Sequence, residues 1–174
     1  SRGQTAAEWL LQIGEEDLAN VLYQYGEERH SRRIARAIKQ FGRFETTAQL
    51  AEVVKVAHPK WEKHKHPATR SFQAIRIAIN RELDDLTDFL PQAVQCLRPH
   101  GRLAVISFHS LEDRIVKQFI QQQSNPTQED GWLQQAERSV QTLKKLSRIA
   151  PSDMEVQHNP RARSAWLRVA SRLP

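Results

Sequence analysis

Ser107, His109, Ser110, Glu112 and Asp113 crowd one short stretch of the 174-residue chain. A hydroxyl, an imidazole and a carboxylate are the parts of a hydrolytic triad, but their arrangement here argues against one. Triad members come from separate elements that converge in space, and the nucleophile stands on a glycine-flanked elbow. No glycine flanks Ser107 or Ser110. A different site remains open, in which Ser107 and His109 share one side of an extended segment. Glu112 and Asp113 then either join that site or serve as first-turn acids of a helix.

The elements that position these residues can be read around them. Leu103-Ala-Val-Ile106 is a short apolar run preceded by the turn signals Pro99, His100 and Gly101, and predicts a buried strand of a parallel sheet. Ser110 is a good N-cap, with Leu111, Ile115, Val116, Phe119 and Ile120 forming one apolar helical face after it. In open α/β sheets, ligands sit at the carboxyl ends of strands, which is where Ser107 to Arg114 falls.

Upstream, short amphipathic helices should pack into a small helical domain. Thr5-Ala-Ala-Glu8 is a capping box, and Gly14 ends the helix it opens. Glu15–Gln24 presents Leu18, Val21, Leu22 and Tyr25, with Gly26 as its stop. Glu27–Phe41 buries Ile34, Ala37, Ile38 and Phe41, and carries Arg29, Arg32, Arg33 and Arg36 along one face. Such a row tracks phosphates or is solvated and paired with nearby acids. Thr46-Thr-Ala-Gln49 caps a helix carrying Leu50, Val53, Val54 and Ala57, stopped by Pro59. Pro67 opens the longest helix, striped by Phe72, Ile75, Ile79, Leu83 and Leu86, and Pro91 starts a second segment. Residues 121–131 read as a surface loop, 134–140 fit no pattern, and 143–149 form a strand. A short helix capped by Ser152 or Asp153 ends at Asn159-Pro160, and Ala165–Ala170 is the final strand.

Formal charge is +6, from 26 basic and 20 acidic residues, which favours a polyanionic partner. Basic residues cluster in Arg29–Arg43, in the loop His58–His66, and in Arg161, Arg163, Arg168 and Arg172. The loop holds His58, His64 and His66, but interleaved lysines repel a cation, so no metal site is expected. Trp61 there either stacks on a base or packs on the core. The lone Cys96 excludes a disulfide framework and fits a reducing cytoplasm. No apolar run reaches the roughly 18 residues of a membrane span.

The run Ser107-Phe-His-Ser-Leu-Glu-Asp-Arg114, entered from a strand, closely resembles the hallmark of a known bacterial family. That family methylates the N4 amine of a cytidine in small-subunit ribosomal RNA with S-adenosylmethionine. Three further blocks agree in order: Tyr25–Arg29 with Arg32–Ile38, His66–Arg70 with Gln73–Arg76, and Asn159–Ser164. The resemblance covers nearly all of the chain. It implies an α/β fold: the C-terminal part of a Rossmann-like methyltransferase sheet plus an inserted small all-helical domain. Residues 1–66 would be that inserted substrate-recognition domain with its basic loop, and residues 67–174 the methyltransferase part.

The resemblance also implies S-adenosylmethionine as cofactor. The family's glycine-rich turn and following acidic residue precede the point where this chain begins. No cofactor-binding residue is therefore expected here, beyond Ser107 and His109 at the pocket rim, and the chain alone should not turn over. Cytosine N4 is a poor nucleophile that must be held by an acceptor and presented unstacked. Ser107, His109 and Asp113 are the catalytic candidates; in the competing role, Asp113 and Arg114 orient the turn. Candidate RNA contacts are Arg29, Arg32, Arg33, Arg36, Lys63, Lys65, His66, Arg70, Arg161 and Arg163. Expected partners are ribosomal RNA of the small subunit and the missing N-terminal half. The exposed edge of a half-sheet invites aggregation or pairing, a homodimer included. The alternative is a non-catalytic RNA-binding fragment that lacks the cofactor site.

Overall fold

The computed structural model describes residues 3–59, 66–125 and 141–174. Lys63, Lys65, Trp61, His64 and the 134–140 segment lie outside the described residues. The chain divides into two compact units, residues 1–82 and 83–174. α5 buries Ser71, Ala74 and Ile75 within the first unit.

The first unit holds α1 (Ala6–Gln12), α2 (Glu15–Gly26), α3 (Ser31–Phe41), α4 (Thr47–Ala57) and α5 (Thr69–Asn80). Both expected capping boxes form, Thr5 with Glu8 and Thr46 with Gln49. The core gathers Leu10, Leu18, Leu22, Ile34, Ile38, Leu50, Val54 and Ile75. Phe41, expected in the buried stripe, is 47% exposed, and Ala35 takes the inner position instead. α1 ends on a side chain from another helix: Lys39 Nζ donates to the carbonyls of Leu10, Leu11 and Ile13 at 2.9, 3.1 and 2.7 Å.

Three helix boundaries depart from the sequence pattern. α2 runs through Gly26, and Glu27 takes the left-handed conformation (φ 51°) that closes it. Gly26 is needed for another reason: a Cβ there would stand 2.7 Å from the Arg70 carbonyl oxygen. α3 starts at Ser31, so Arg29 lies before the helix and the four-arginine row is broken. The long helix breaks at Arg81, also left-handed (φ 52°), and not at Pro91. Pro91 sits inside α6 (Glu82–Cys96) on its exposed side, where the carbonyl freed one turn back reaches water.

The second unit contains most of α6, then β1 (Arg102–Ser107), α7 (Ser110–Ser124), β2 (Leu143–Ile149), α8 (Asp153–His158), a 3-10 turn (Pro160–Ser164) and β3 (Trp166–Arg172). α7 takes in residues 121–124, which the sequence assigned to a loop. Among the described residues the sheet has the order β1-β3-β2 with both pairings antiparallel, and no parallel neighbour of β1 lies among them. Burial alternates along β1: Leu103 and Ser107 point inward while Ala104 and Ile106 face out. The inner face packs Leu103, Ala170 and Leu143 against Leu90, Val94, Val116 and Ile120. The outer face carries the cross-strand row Ile106, Leu167 and Ile149. Arg172 Nη1 closes α6, donating to Val94 and Gln95 carbonyls at 3.2 and 3.0 Å and to the Leu97 carbonyl.

Candidate functional site

The turn from β1 into α7 is built by its own side chains. The N-cap is His109, not Ser110, which is the first helical residue. His109 Nδ1 accepts the Glu112 N–H at 3.4 Å, and Glu112 Oε2 accepts the N–H of Phe108 at 2.9 Å and of His109 at 3.4 Å. Because Nδ1 accepts, the proton of the neutral ring sits on Nε2. Nε2 is buried and lies 3.1 Å from Glu112 Oε1, an ion-pair distance without hydrogen-bond alignment. The imidazole holds the Glu112 carboxyl below its ordinary range; burial opposes this, and the Phe108 N–H reinforces it. His109 thus works inside the turn. His109→Ala should cost about 1 kcal/mol through loss of the cap, read as a lower urea midpoint.

Ser107 and His109 do share one side of the chain, with Phe108 turned outward at 56% exposure. Ser107 is 2% exposed, and its Oγ has no hydrogen-bond partner among the described residues.

Asp113 is clamped. Arg168 of β3 donates through Nε to Oδ1 at 2.6 Å and through Nη2 to Oδ2 at 2.8 Å, a bidentate pair. Arg148 of β2 stands 4.0 Å from Oδ2 and stacks over Trp166, 3.3 Å from the ring centre. The Arg168 hydrogen bonds hold the Asp113 carboxyl below the usual aspartate range against the cost of burial, with the charges of Arg168, Arg148 and Lys117 adding to them. Sequence inspection missed Arg168 as a partner, because 55 positions separate the two residues.

The register Ser107↔Trp166 brings the 3-10 turn to the sheet end where β1 enters α7. Arg161 and Arg163 are exposed there, and Asn159 caps their turn by accepting the Arg161 N–H at 3.2 Å. Of the four arginines in this cluster, Arg168 and Arg172 are occupied within the fold, leaving Arg161 and Arg163 outward.

In the first unit, the blocks Tyr25–Arg29 and His66–Arg70 meet where Gly26 abuts the Arg70 carbonyl. His66 Nδ1 accepts the Ala68 N–H at 3.2 Å. Arg36 pairs with Glu15 at 3.3 Å on the surface. Arg29, Arg32 and Arg33 instead line a pocket beside α2. Among the described residues no cluster of three or more His, Cys, Asp or Glu could hold a metal ion.

A nucleoside sulfonium cofactor needs backbone it can approach closely after a strand, and an acid for its ribose. The described residues do not fit it. The turn after β1 carries bulky Phe108, and its acids are committed to His109 and Arg168. The left-handed glycine, Gly42, closes α3 in the other unit.

A family model described as the MraW methylase family matches residues 1–173. A protein of Acinetobacter baumannii (strain SDF) named ribosomal RNA small subunit methyltransferase H is 70% identical over 174 residues, which is 99% of this chain and 57% of that protein. The protein of the same name from Acinetobacter baylyi is 70% identical with the same coverage. That from Psychrobacter cryohalolentis is 57% identical over 173 residues, 99% of this chain and 51% of its own length. The chain therefore spans a little over half the length of these curated relatives. With all but its last residue matched by the family model, the chain belongs to the MraW methylase family.

Proposed function

We propose that this chain is part of an S-adenosylmethionine-dependent methyltransferase acting on the N4 amine of a cytidine in small-subunit ribosomal RNA, in the cytoplasm. The observation that carries the reading is the turn Ser107–Arg114 at the end of β1, fixed by the His109–Glu112 cap and the Asp113–Arg168 clamp, in a chain of this family. In this reading the second unit closes a Rossmann-like sheet, and the first is a helical domain inserted into it. The cofactor would supply an electrophilic methyl carbon, and its cradle lies in sequence beyond these residues. What this chain contributes is binding and orientation. Ser107 Oγ, buried at the end of β1 and without a partner among the described residues, is the acceptor this reading assigns to the exocyclic amine. His109 and Asp113 act as positioning residues that hold the turn around it. Arg161 and Arg163, at the same sheet end, would meet backbone phosphates.

Two experiments test this. Calorimetric titration of the folded chain with S-adenosylmethionine should show no saturable binding; a one-site isotherm would put the cradle within these residues. Undermethylated small ribosomal subunits and labelled cofactor should give N4-methylcytidine only when the chain is joined to the remaining length its relatives have. Turnover by this chain alone would refute the reading that it is only part of the enzyme, and methylation at another atom by the longer protein would refute the N4 assignment. The second reading, a fragment that binds RNA without a catalytic group, draws on the burial of Ser107. It predicts that Ser107→Ala leaves methyl transfer by the longer protein unchanged.

A further inference from the structure

The first unit holds a pocket that the strand-end turn does not use. It measures about 570 Å3 and lies between α2 and the start of α3, with Tyr23 on one side and Arg29, Arg32 and Arg33 on the other. Among the described residues, none of the three guanidiniums pairs with a carboxylate. No acidic side chain lines the pocket or occupies the first turn of α3. Three like charges lining one pocket without a counter-charge among the described residues repel one another, and an anion in the pocket relieves that repulsion. Tyr23 is 63% exposed although its neighbour Leu22 is fully buried, so its ring is presented to the pocket side and not to the core. Guanidiniums for a backbone phosphate and an exposed aromatic face for a base are the two parts of a single-strand nucleic-acid site. A duplex would keep its bases stacked and out of reach of the ring.

The wall that carries the arginines is fixed from within. Glu28 is 0% exposed, an unusual place for a carboxylate. Its Oε1 accepts the His30 N–H at 2.9 Å and lies 3.5 Å from His58 Nε2, and its carbonyl accepts the Ser31 N–H at 3.2 Å. These contacts pin the connection that holds Arg29 and aims the first turn of α3, where Arg32 and Arg33 sit.

We infer that the pocket between Tyr23 and Arg29, Arg32 and Arg33 seats one nucleotide of a single-stranded RNA segment, its phosphate on the arginines and its base on Tyr23, with Glu28 as the residue that positions the arginine wall. This site rests on the ribosomal RNA reading given above and locates where in the first unit the strand is gripped.

The test is fluorescence anisotropy of a labelled single-stranded oligocytidylate with the 174-residue chain, across a salt series. Tyr23→Ala should weaken binding by about 5- to 100-fold, while Tyr23→Phe retains it. Arg32→Ala and Arg33→Ala should each reduce the slope of log affinity against log salt by about one. Arg98→Ala, which removes an equal charge in the other unit, should change affinity less than twofold. Glu28→Ala should lose affinity at unchanged helical circular dichroism, and Glu28→Gln, which keeps the acceptor for His30, should restore it. If Glu28→Ala does not fold, the Tyr23 and arginine variants decide the matter. A wild-type chain without RNA affinity overturns both this site and the RNA reading. Wild-type affinity that survives Tyr23→Ala and the double change Arg32→Ala with Arg33→Ala overturns the pocket alone. Equal affinity for a duplex of the same length, or displacement by inorganic phosphate as effective as by cytidine monophosphate, overturns the stacked base.

Discussion

Arg168→Ala should lower the stability of the second unit by about 3 kcal/mol, the low end of the cost of stripping one partner from a buried ion pair. The low end applies because Arg148, 4.0 Å from Asp113 Oδ2, remains as a weaker counter-charge. Arg168→Lys should recover only part of the loss, since a point charge cannot make both hydrogen bonds of the fork. The pH dependence has a definite sign. Asp113 is held below the ordinary aspartate range in the fold. A group depressed in this way contributes stability above the range of the unfolded residue and loses it as pH falls into the folded one. Wild-type stability should therefore decline below about pH 4, and Asp113→Asn should flatten that decline while lowering stability at neutral pH. Urea unfolding followed by circular dichroism at several pH values reads both effects. A neutral-pH midpoint unchanged in Arg168→Ala would show that the clamp holds nothing.

Gly26→Ala should destabilise the helical unit by about 1–3 kcal/mol, the usual cost of forcing atoms into a filled interior. The added carbon would lie 2.7 Å from the Arg70 carbonyl oxygen and 3.3 Å from Ala74 Cβ. The first obstacle is backbone, which cannot rotate aside as a long side chain does, so α2 and α5 must move apart. Gly42→Ala is the instructive contrast. It has open space around it but a φ of 85°, so its cost of about 1 kcal/mol is backbone strain alone. Thermal unfolding of the two variants should rank Gly26→Ala as the more damaging. The reverse order would mean that α2 and α5 are not in firm contact at this point.

What the sequence discloses here is whatever is decided within one helical turn. The pairs Thr5 with Glu8, Thr46 with Gln49, and Ser152 with Glu155 form capping boxes because both partners are three residues apart. The strand–turn–helix around Ser107 was legible for the same reason. Misreadings arise where a residue acts against its usual habit. His109 caps a helix that Ser110 seemed better suited to start, and Arg81 adopts a backbone conformation that favours glycine. Pro91 suggested a break, yet it sits on a solvent face where a lost hydrogen bond is replaced by water. Long-range partners were invisible. Nothing near Lys39 announces that it will close α1, and nothing near Asp113 announces Arg168. Half of the candidate site, its residue types and their order, was thus readable; the half that decides which groups are already engaged was not.

The edge position of β1 has a consequence for how the chain behaves as a solute. Among the described residues β1 hydrogen-bonds to β3 on one side only, and Ile106, Leu167 and Ile149 form an apolar row on the outer face of the sheet. Such an edge is a template for a further strand, and the common charge of +6 opposes contact between copies. Salt screens that repulsion over about 10 Å at 0.1 M, and it equally screens attraction to phosphate. Light scattering should therefore rise with sodium chloride over the same range in which the RNA affinity proposed above should fall.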